Sequence, residues 1–118
     1  MRAKDQLGLD GEAAASVHLE RAGMRIVERR WRCAYGELDI VARDAGEIVF
    51  VEVKTRRDRD FGFPAEAVVR AKRNRLRRLA LKWLAVHPGH PETIRFDVVS
   101  VLRPRSGPAL IEHVRAAF

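Results

Sequence analysis

Hydrophobic positions begin the chain with a helical spacing. From Leu7 to Ala22, alanines and leucines fall three and four residues apart and Gly23 supplies a stop, which predicts a first helix. The period then changes. Met24 to Cys33 sets β-branched and aromatic residues among arginines and reads as a partly exposed strand, and Ala34-Tyr35-Gly36 reads as a turn. Glu37 to Arg43 and Glu47 to Lys54 are two further strands, joined through Asp44-Ala45-Gly46. Thr55 to Phe63 is a charged loop ending in Phe61-Gly62-Phe63-Pro64, and Pro64 suits the first turn of a second helix. That helix runs to Val86 with Ala65, Val69, Leu76, Leu79, Trp83 and Val86 on one face, until His87-Pro88-Gly89-His90-Pro91 ends it. Ile94 to Leu102 is a strand, Pro104 to Pro108 a turn, and Leu110 to Val114 a short final strand.

The predicted order is therefore α-β-β-β-α-β-β. Three sequential strands favour an antiparallel meander, and the second helix is a crossover long enough to bring the next strand in parallel. The expected fold is α/β, a mixed central sheet flanked by helices. With no repeat and no interdomain linker, residues 1–118 form one domain.

The two central strands carry the candidate chemistry. Centring their turn on Ala45-Gly46 pairs Leu38 with Val53, Ile40 with Val51 and Ala42 with Val49 on an apolar face. The other face then pairs Arg43 with Ile48, Val41 with Phe50, Asp39 with Glu52 and Glu37 with Lys54. A slip of one residue would put Asp39 and Glu52 on opposite faces, so the clean apolar face supports the register. Directly opposed carboxylates, with Cβ atoms roughly 5 Å apart, destabilise a sheet unless something compensates. A hard divalent cation does so, since Mg²⁺ takes oxygen ligands and is held by one or two carboxylates together with water and phosphate oxygens. Lys54 follows on the same face, where an ammonium would neutralise charge on a phosphate.

Two residues interrupt their own helical stripes. Glu12 lies on the stripe Glu12, Ala15, Leu19, Ala22, either as a first-turn acid favoured by the helix dipole or as a holder of a metal-bound water. Lys72 lies on Val69, Lys72, Leu76, Leu79, Trp83, either snorkelling or functional. Asp97, in Arg95-Phe96-Asp97-Val98, could add a ligand, although a structural hydrogen bond is the favoured reading.

Charge narrows the partner. The net charge is +7, and between Lys54 and Lys82 there are 11 basic residues against three acids, so the remainder is nearly neutral. Such a segment suits a polyanion, with Arg56, Arg57, Lys72, Arg73 and Arg77 as candidate phosphate contacts on nucleic acid. Cys33 is the only cysteine, which excludes an intrachain disulfide and a multi-cysteine zinc site. His18, His87, His90 and His113 lack metal-ligand spacing. Neither a membrane-spanning run nor a secretory signal is evident, so a cytoplasmic protein without a membrane partner is expected.

Several runs carry a resemblance over nearly the whole chain. Gly8, Gly11-Glu12, Gly36-Glu37-Leu38-Asp39-Ile40-Val41-Ala42, Val49-Phe50-Val51-Glu52-Val53-Lys54-Thr55-Arg56, Phe61-Gly62, Lys72, Arg95-Phe96-Asp97-Val98 and Ala117-Phe118 resemble the bacterial YraN family. That family looks like a member of the restriction-endonuclease-like superfamily with its PD-(D/E)XK signature. The resemblance implies an αβββαβ core with an extra C-terminal strand, dependence on Mg²⁺ or Mn²⁺, and a nucleic-acid substrate. Asp39 corresponds to the first acid, Glu52 to the second and Lys54 to the lysine. Glu12 matches the helix-one glutamate of Holliday-junction-resolvase-like relatives. Leu38 stands where the signature has proline, a change the superfamily tolerates.

These observations favour a metal-dependent nuclease that hydrolyses phosphodiesters in DNA, rather than RNA, on a branched or otherwise structured substrate. Asp39, Glu52 and Glu12 would hold the metal, and Lys54 would orient water. The alternative is a non-catalytic nucleic-acid-binding module, or a scaffold in DNA repair or processing. A two-fold homodimer would suit a junction substrate.

Overall fold

A computed structural model describes residues 3–57, 70–89 and 93–118. Its elements are α1 (Ala3–Arg21), β1 (Arg25–Cys33), β2 (Gly36–Asp44), β3 (Glu47–Arg56), α2 (Arg70–Val86), β4 (Ile94–Leu102) and β5 (Leu110–Val114). The predicted order holds, and β3 runs two residues further than the sequence pattern indicates. The loop ending in Phe61-Gly62-Phe63-Pro64, Ala65 and Val69 of the helical stripe, and His90-Pro91 lie outside the described residues. No helix among the described residues is long and apolar enough to cross a membrane.

The strands form one sheet in the order β1-β2-β3-β4-β5. β1, β2 and β3 are an antiparallel meander, β4 joins β3 in parallel, and β5 returns antiparallel to β4. The parallel pair follows from the α2 crossover, as expected of a right-twisted sheet. A helix covers each face. Ala15 and Leu19 of α1 pack with Met24, Ile40, Ala42, Val49, Val51, Val99 and Val101. Leu76, Leu79, Ala80 and Trp83 of α2 pack with Val41, Ile48, Phe50, Phe96 and Val98. Trp83 is fully buried, lies edge-on to Phe50 at 5.8 Å, and donates its indole N–H to Glu28 at 2.9 Å, so its one polar atom is satisfied.

The end of α1 is set locally. Gly23 takes φ 94°, the Met24 amide donates to the Leu19 carbonyl, and the Gly23 amide donates to the Glu20 carbonyl. This is the Schellman arrangement, with the buried Leu19 and Met24 meeting beneath it. Its entry across the sheet depends on another glycine. A Cβ on Gly11 would overlap the side chain of Thr55 on β3, so only glycine lets the α1 backbone approach the strand that closely.

Two glycines of α1 should therefore respond in opposite directions to the same substitution. At Gly8 a Cβ meets nothing within 4 Å, and Gly8→Ala is expected to raise stability by up to about 1 kcal/mol through helix propensity. Gly11→Ala gains the same propensity but must displace Thr55 or α1, and is expected to lower stability by about 1–3 kcal/mol. Urea unfolding of the two variants checks this, and equal shifts would contradict the close approach.

Candidate metal centre between β2 and β3

The register of β2 against β3 is the one the apolar face specified: Ile40 pairs with Val51, Val41 with Phe50, Ala42 with Val49, Arg43 with Ile48 and Asp44 with Glu47. The paired ladder stops at Ile40 and Val51. β3 continues along β4, with Glu52 beside Val98, Val53 beside Val99 and Lys54 beside Ser100. β2 continues along β1, with Leu38 beside Trp31 and Glu37 beside Arg32. A fork therefore opens between the two central strands. The expected pairs Leu38–Val53, Asp39–Glu52 and Glu37–Lys54 do not extend the ladder.

Asp39 stands in the mouth of the fork. Its Oδ2 accepts the Val53 amide at 2.9 Å, so a side chain takes a strand N–H that a paired β2 backbone would otherwise receive. Side-chain alternation breaks at the same point. Leu38 packs into the cluster under α2, whereas Ile40, two residues on, packs into the cluster under α1. Asp39 therefore turns between the layers, with acids from both sides around it.

On one side are Glu12 of α1 and Glu37 of β2. One carboxylate oxygen from each of Glu12, Glu37 and Asp39 lies within 4.8 Å of the other two. Glu12 occupies the buried stripe with Ala15 and Leu19, and Arg30 of β1, at φ 51°, brings its guanidinium to 3.5 Å from Glu12 Oε2. That oxygen is buried and has no hydrogen-bond partner among the described residues. Glu37 also accepts from Arg32 at 3.1 Å.

On the other side are Glu52, 7% exposed, and two lysines. Lys54 Nζ is 3.4 Å and Lys72 Nζ is 2.6 Å from the same Glu52 oxygen. Lys72, the cation in the apolar stripe of α2, thus belongs to the acidic site. Glu37 is the acid that the strand pattern left out of the metal set, because regular alternation gives it Lys54 as partner. Its signal was present in the run Glu37-Leu38-Asp39, but only the break in alternation makes it useful.

Charge crowding shifts the titration of these groups. Burial, and then the Glu52 charge, push the Asp39 carboxyl up to about 8, against the pull of the Val53 N–H. Burial also raises Glu12, although Arg30 opposes it. Lys54 is lowered by burial and by Lys72. Burial acts in the same direction on Lys72, but Glu52 overcomes it and Lys72 is raised.

The donor set is oxygen only, crowded, and contains an orphaned buried carboxylate oxygen. It fits a hard divalent cation such as Mg²⁺ or Mn²⁺, with Asp39, Glu12 and Glu37 offering the clustered oxygens, while Glu52, expected as a ligand, lies outside that group and is held by Lys54 and Lys72.

Other candidates fall elsewhere. Asp97 is fully buried and accepts from Arg95, His113 and the Ala116 amide, the structural role favoured for it. Those partners outweigh burial and hold its carboxyl down at about 2. Arg73 and Arg77 each place a guanidinium 5.5 Å from the centroid of the Phe118 ring, which stacks on Phe96 at 5.1 Å. Arg56 ends β3 and is half-buried, and Arg57 beyond it is exposed.

A raised carboxyl makes the metal-free protein lose stability as pH rises. Asp39 ionises near 4 when unfolded but about 8 when folded, so its contribution is complete below about 4 and is lost progressively towards about 8. Asp39→Asn should remove that slope and raise the melting temperature in chelator at neutral pH by several degrees, roughly. Thermal melts from about pH 4 to about pH 9, a range that brackets both values, provide the check. A wild-type profile identical to that of Asp39→Asn would contradict the crowding.

Comparison with known proteins gives one consistent answer. The model of Uncharacterised protein family UPF0102 matches residues 11–101. A UPF0102 protein of Frankia alni is 57% identical over 118 residues, covering 100% of this chain and 98% of that one. Another, from Beutenbergia cavernae, is 57% identical over 115 residues, with 98% of each chain covered. A third, from Nocardia farcinica, is 56% identical over 115 residues, covering 98% of this chain and 91% of its own.

Proposed function

The chain belongs to the UPF0102 family, the YraN family of the sequence resemblance, and from that premise and the forked site we propose that it is a metal-dependent nuclease acting on structured DNA. One observation carries the reading. Asp39 replaces a rung of the β-ladder and thereby stands between Glu12 and Glu37 on one side and Glu52, Lys54 and Lys72 on the other. Crowded carboxylates repel one another and cost the fold stability, whereas a metal-dependent phosphodiester hydrolysis uses such a group to hold its cation.

A divalent cation held by these acids would supply Lewis-acid polarisation of a phosphate and a lowered pKa for a coordinated water. The chain's own residues supply the rest. Lys54 presents an ammonium beside the acids, where negative charge develops on the phosphate. Lys72 fixes Glu52 from α2, and Arg30 holds Glu12 from β1. The basic flank of α2 contributes phosphate contacts outside the reacting centre.

The binding-module reading is favoured by one feature. Both lysines already neutralise Glu52, so the arrangement is partly compensated without an ion.

The two readings separate on a panel of branched, flapped, single-stranded and linear DNA and RNA with Mg²⁺, Mn²⁺ or chelator. Wild type is expected to cleave a branched or flapped DNA only with metal. Asp39→Asn and Glu52→Gln should each reduce cleavage by about a hundredfold or more while keeping the fold. In chelator the same variants should bind DNA at least as well as wild type, because they weaken repulsion of phosphate, whereas Lys54→Ala should lose both cleavage and some affinity. If wild type cleaves nothing and neutralising either acid leaves Mn²⁺ affinity unchanged, the nuclease reading falls and the binding module remains.

A further inference from the structure

The basic residues of α2 do not form one surface. Leu76, Leu79, Ala80 and Trp83 face the sheet, and at about 3.6 residues per turn the exposed cations divide between the two flanks of that stripe. Arg73 and Arg77 fall on the flank over Phe118. Arg75, Arg78 and Lys82 fall on the opposite flank. At its two ends, Lys72 touches Glu52 and Lys82 Nζ lies 4.5 Å from the centroid of the Tyr35 ring.

Tyr35 is a large aromatic side chain left 63% exposed on the β1–β2 turn. The turn that carries it is nevertheless anchored. The Tyr35 amide donates to Cys33 Sγ at 3.5 Å, and a Cβ on Gly36, at φ 138°, would meet Leu79 of α2. Lys82 Nζ lies over one face of the ring, and β2 continues from the turn into Glu37 and Asp39. Four strand residues separate Tyr35 from Asp39, about 13 Å. Ten helical residues separate Lys72 from Lys82, about 15 Å. Both paths place Tyr35 about one strand-length from the acids, a span of a few nucleotides.

We propose that Tyr35 stacks on an unpaired base of the substrate, while Arg75, Arg78 and Lys82 carry the intervening phosphates towards the acids. This rests on the nuclease reading for its direction and names the substrate class more narrowly: nucleic acid with a single-stranded segment beside the scissile phosphate. An exposed aromatic ring ending a cationic track is how proteins grip unpaired bases without reading their sequence. A fully paired duplex keeps its bases stacked on one another and offers Tyr35 nothing.

The test uses the full chain carrying Asp39→Asn, so that cleavage plays no part, and a short single-stranded DNA bearing one 2-aminopurine. Binding in chelator is read by fluorescence quenching and by anisotropy. The parent is expected to quench, Tyr35→Phe to quench equally, and Tyr35→Ala to abolish the quench and weaken single-strand binding about tenfold, with little change for a paired duplex. Arg75→Ala with Arg78→Ala should flatten the salt dependence of binding, whereas Arg73→Ala with Arg77→Ala should change it less. No quench by the parent, or unchanged quench and affinity in Tyr35→Ala, overturns the stacking site even if the wild type cleaves DNA. Conversely, a Tyr35-dependent quench, with no wild-type cleavage and Mn²⁺ affinity unchanged in the acid variants, upholds the stacking site and removes the nuclease reading alone.

Discussion

The hydrogen bond from the Val53 amide to Asp39 is the constraint from which the site follows. Two central strands that stop pairing leave backbone donors facing a gap, and a buried amide without a partner is costly. Here a carboxylate fills the gap. It stabilises the fork and, in doing so, is itself removed from water and brought against Glu52. Its raised pKa is the result of that exchange, since burial and a like charge outweigh one N–H donor.

Everything else around the fork sets the charge balance. Lys54 and Lys72 both engage Glu52, Arg30 approaches Glu12 and Arg32 bonds Glu37, so each of these three acids has a cation in contact. These contacts come from five separate elements, α1, β1, β2, β3 and α2. α1 reaches the fork because Gly11 permits close contact with Thr55. α2 reaches it because its apolar face is interrupted by Lys72 at the end nearest Glu52. Glu12 of α1 and Lys72 of α2 therefore approach the same opening in the sheet, one beside Asp39 and the other on Glu52.

On the neighbouring strand β4, Asp97 beside Val51 shows how the same residue type behaves when the balance is complete. Asp97 is as fully buried as any side chain in the core, yet Arg95, His113 and the Ala116 amide hold its carboxyl below the usual carboxylate range. Asp39 has one amide and too many acids, and its carboxyl moves the other way. Burial is common to both; the surplus of donors or of acceptors decides the direction.

The sequence by itself determined the element order, the mixed sheet and the register of β2 on β3, because each is written in local period, turn residues and one apolar face. It also singled out Asp39, Glu52 and Lys54 as candidates through the opposed carboxylates of the expected register, and Glu12 and Lys72 as charges on apolar helical stripes. Regular alternation, however, gave Glu37 to Lys54 and carried the ladder through Asp39. Only the tertiary structure decided that the ladder opens there, because whether two strands stay paired depends on what α1, α2, β1 and β4 offer each of them. The division of the α2 cations was likewise hidden in composition. Arg73 and Arg77 meet Phe118 and Lys82 meets Tyr35 through contacts between residues far apart in the chain, and a count of charge along the sequence has no access to which flank of a packed helix each one occupies.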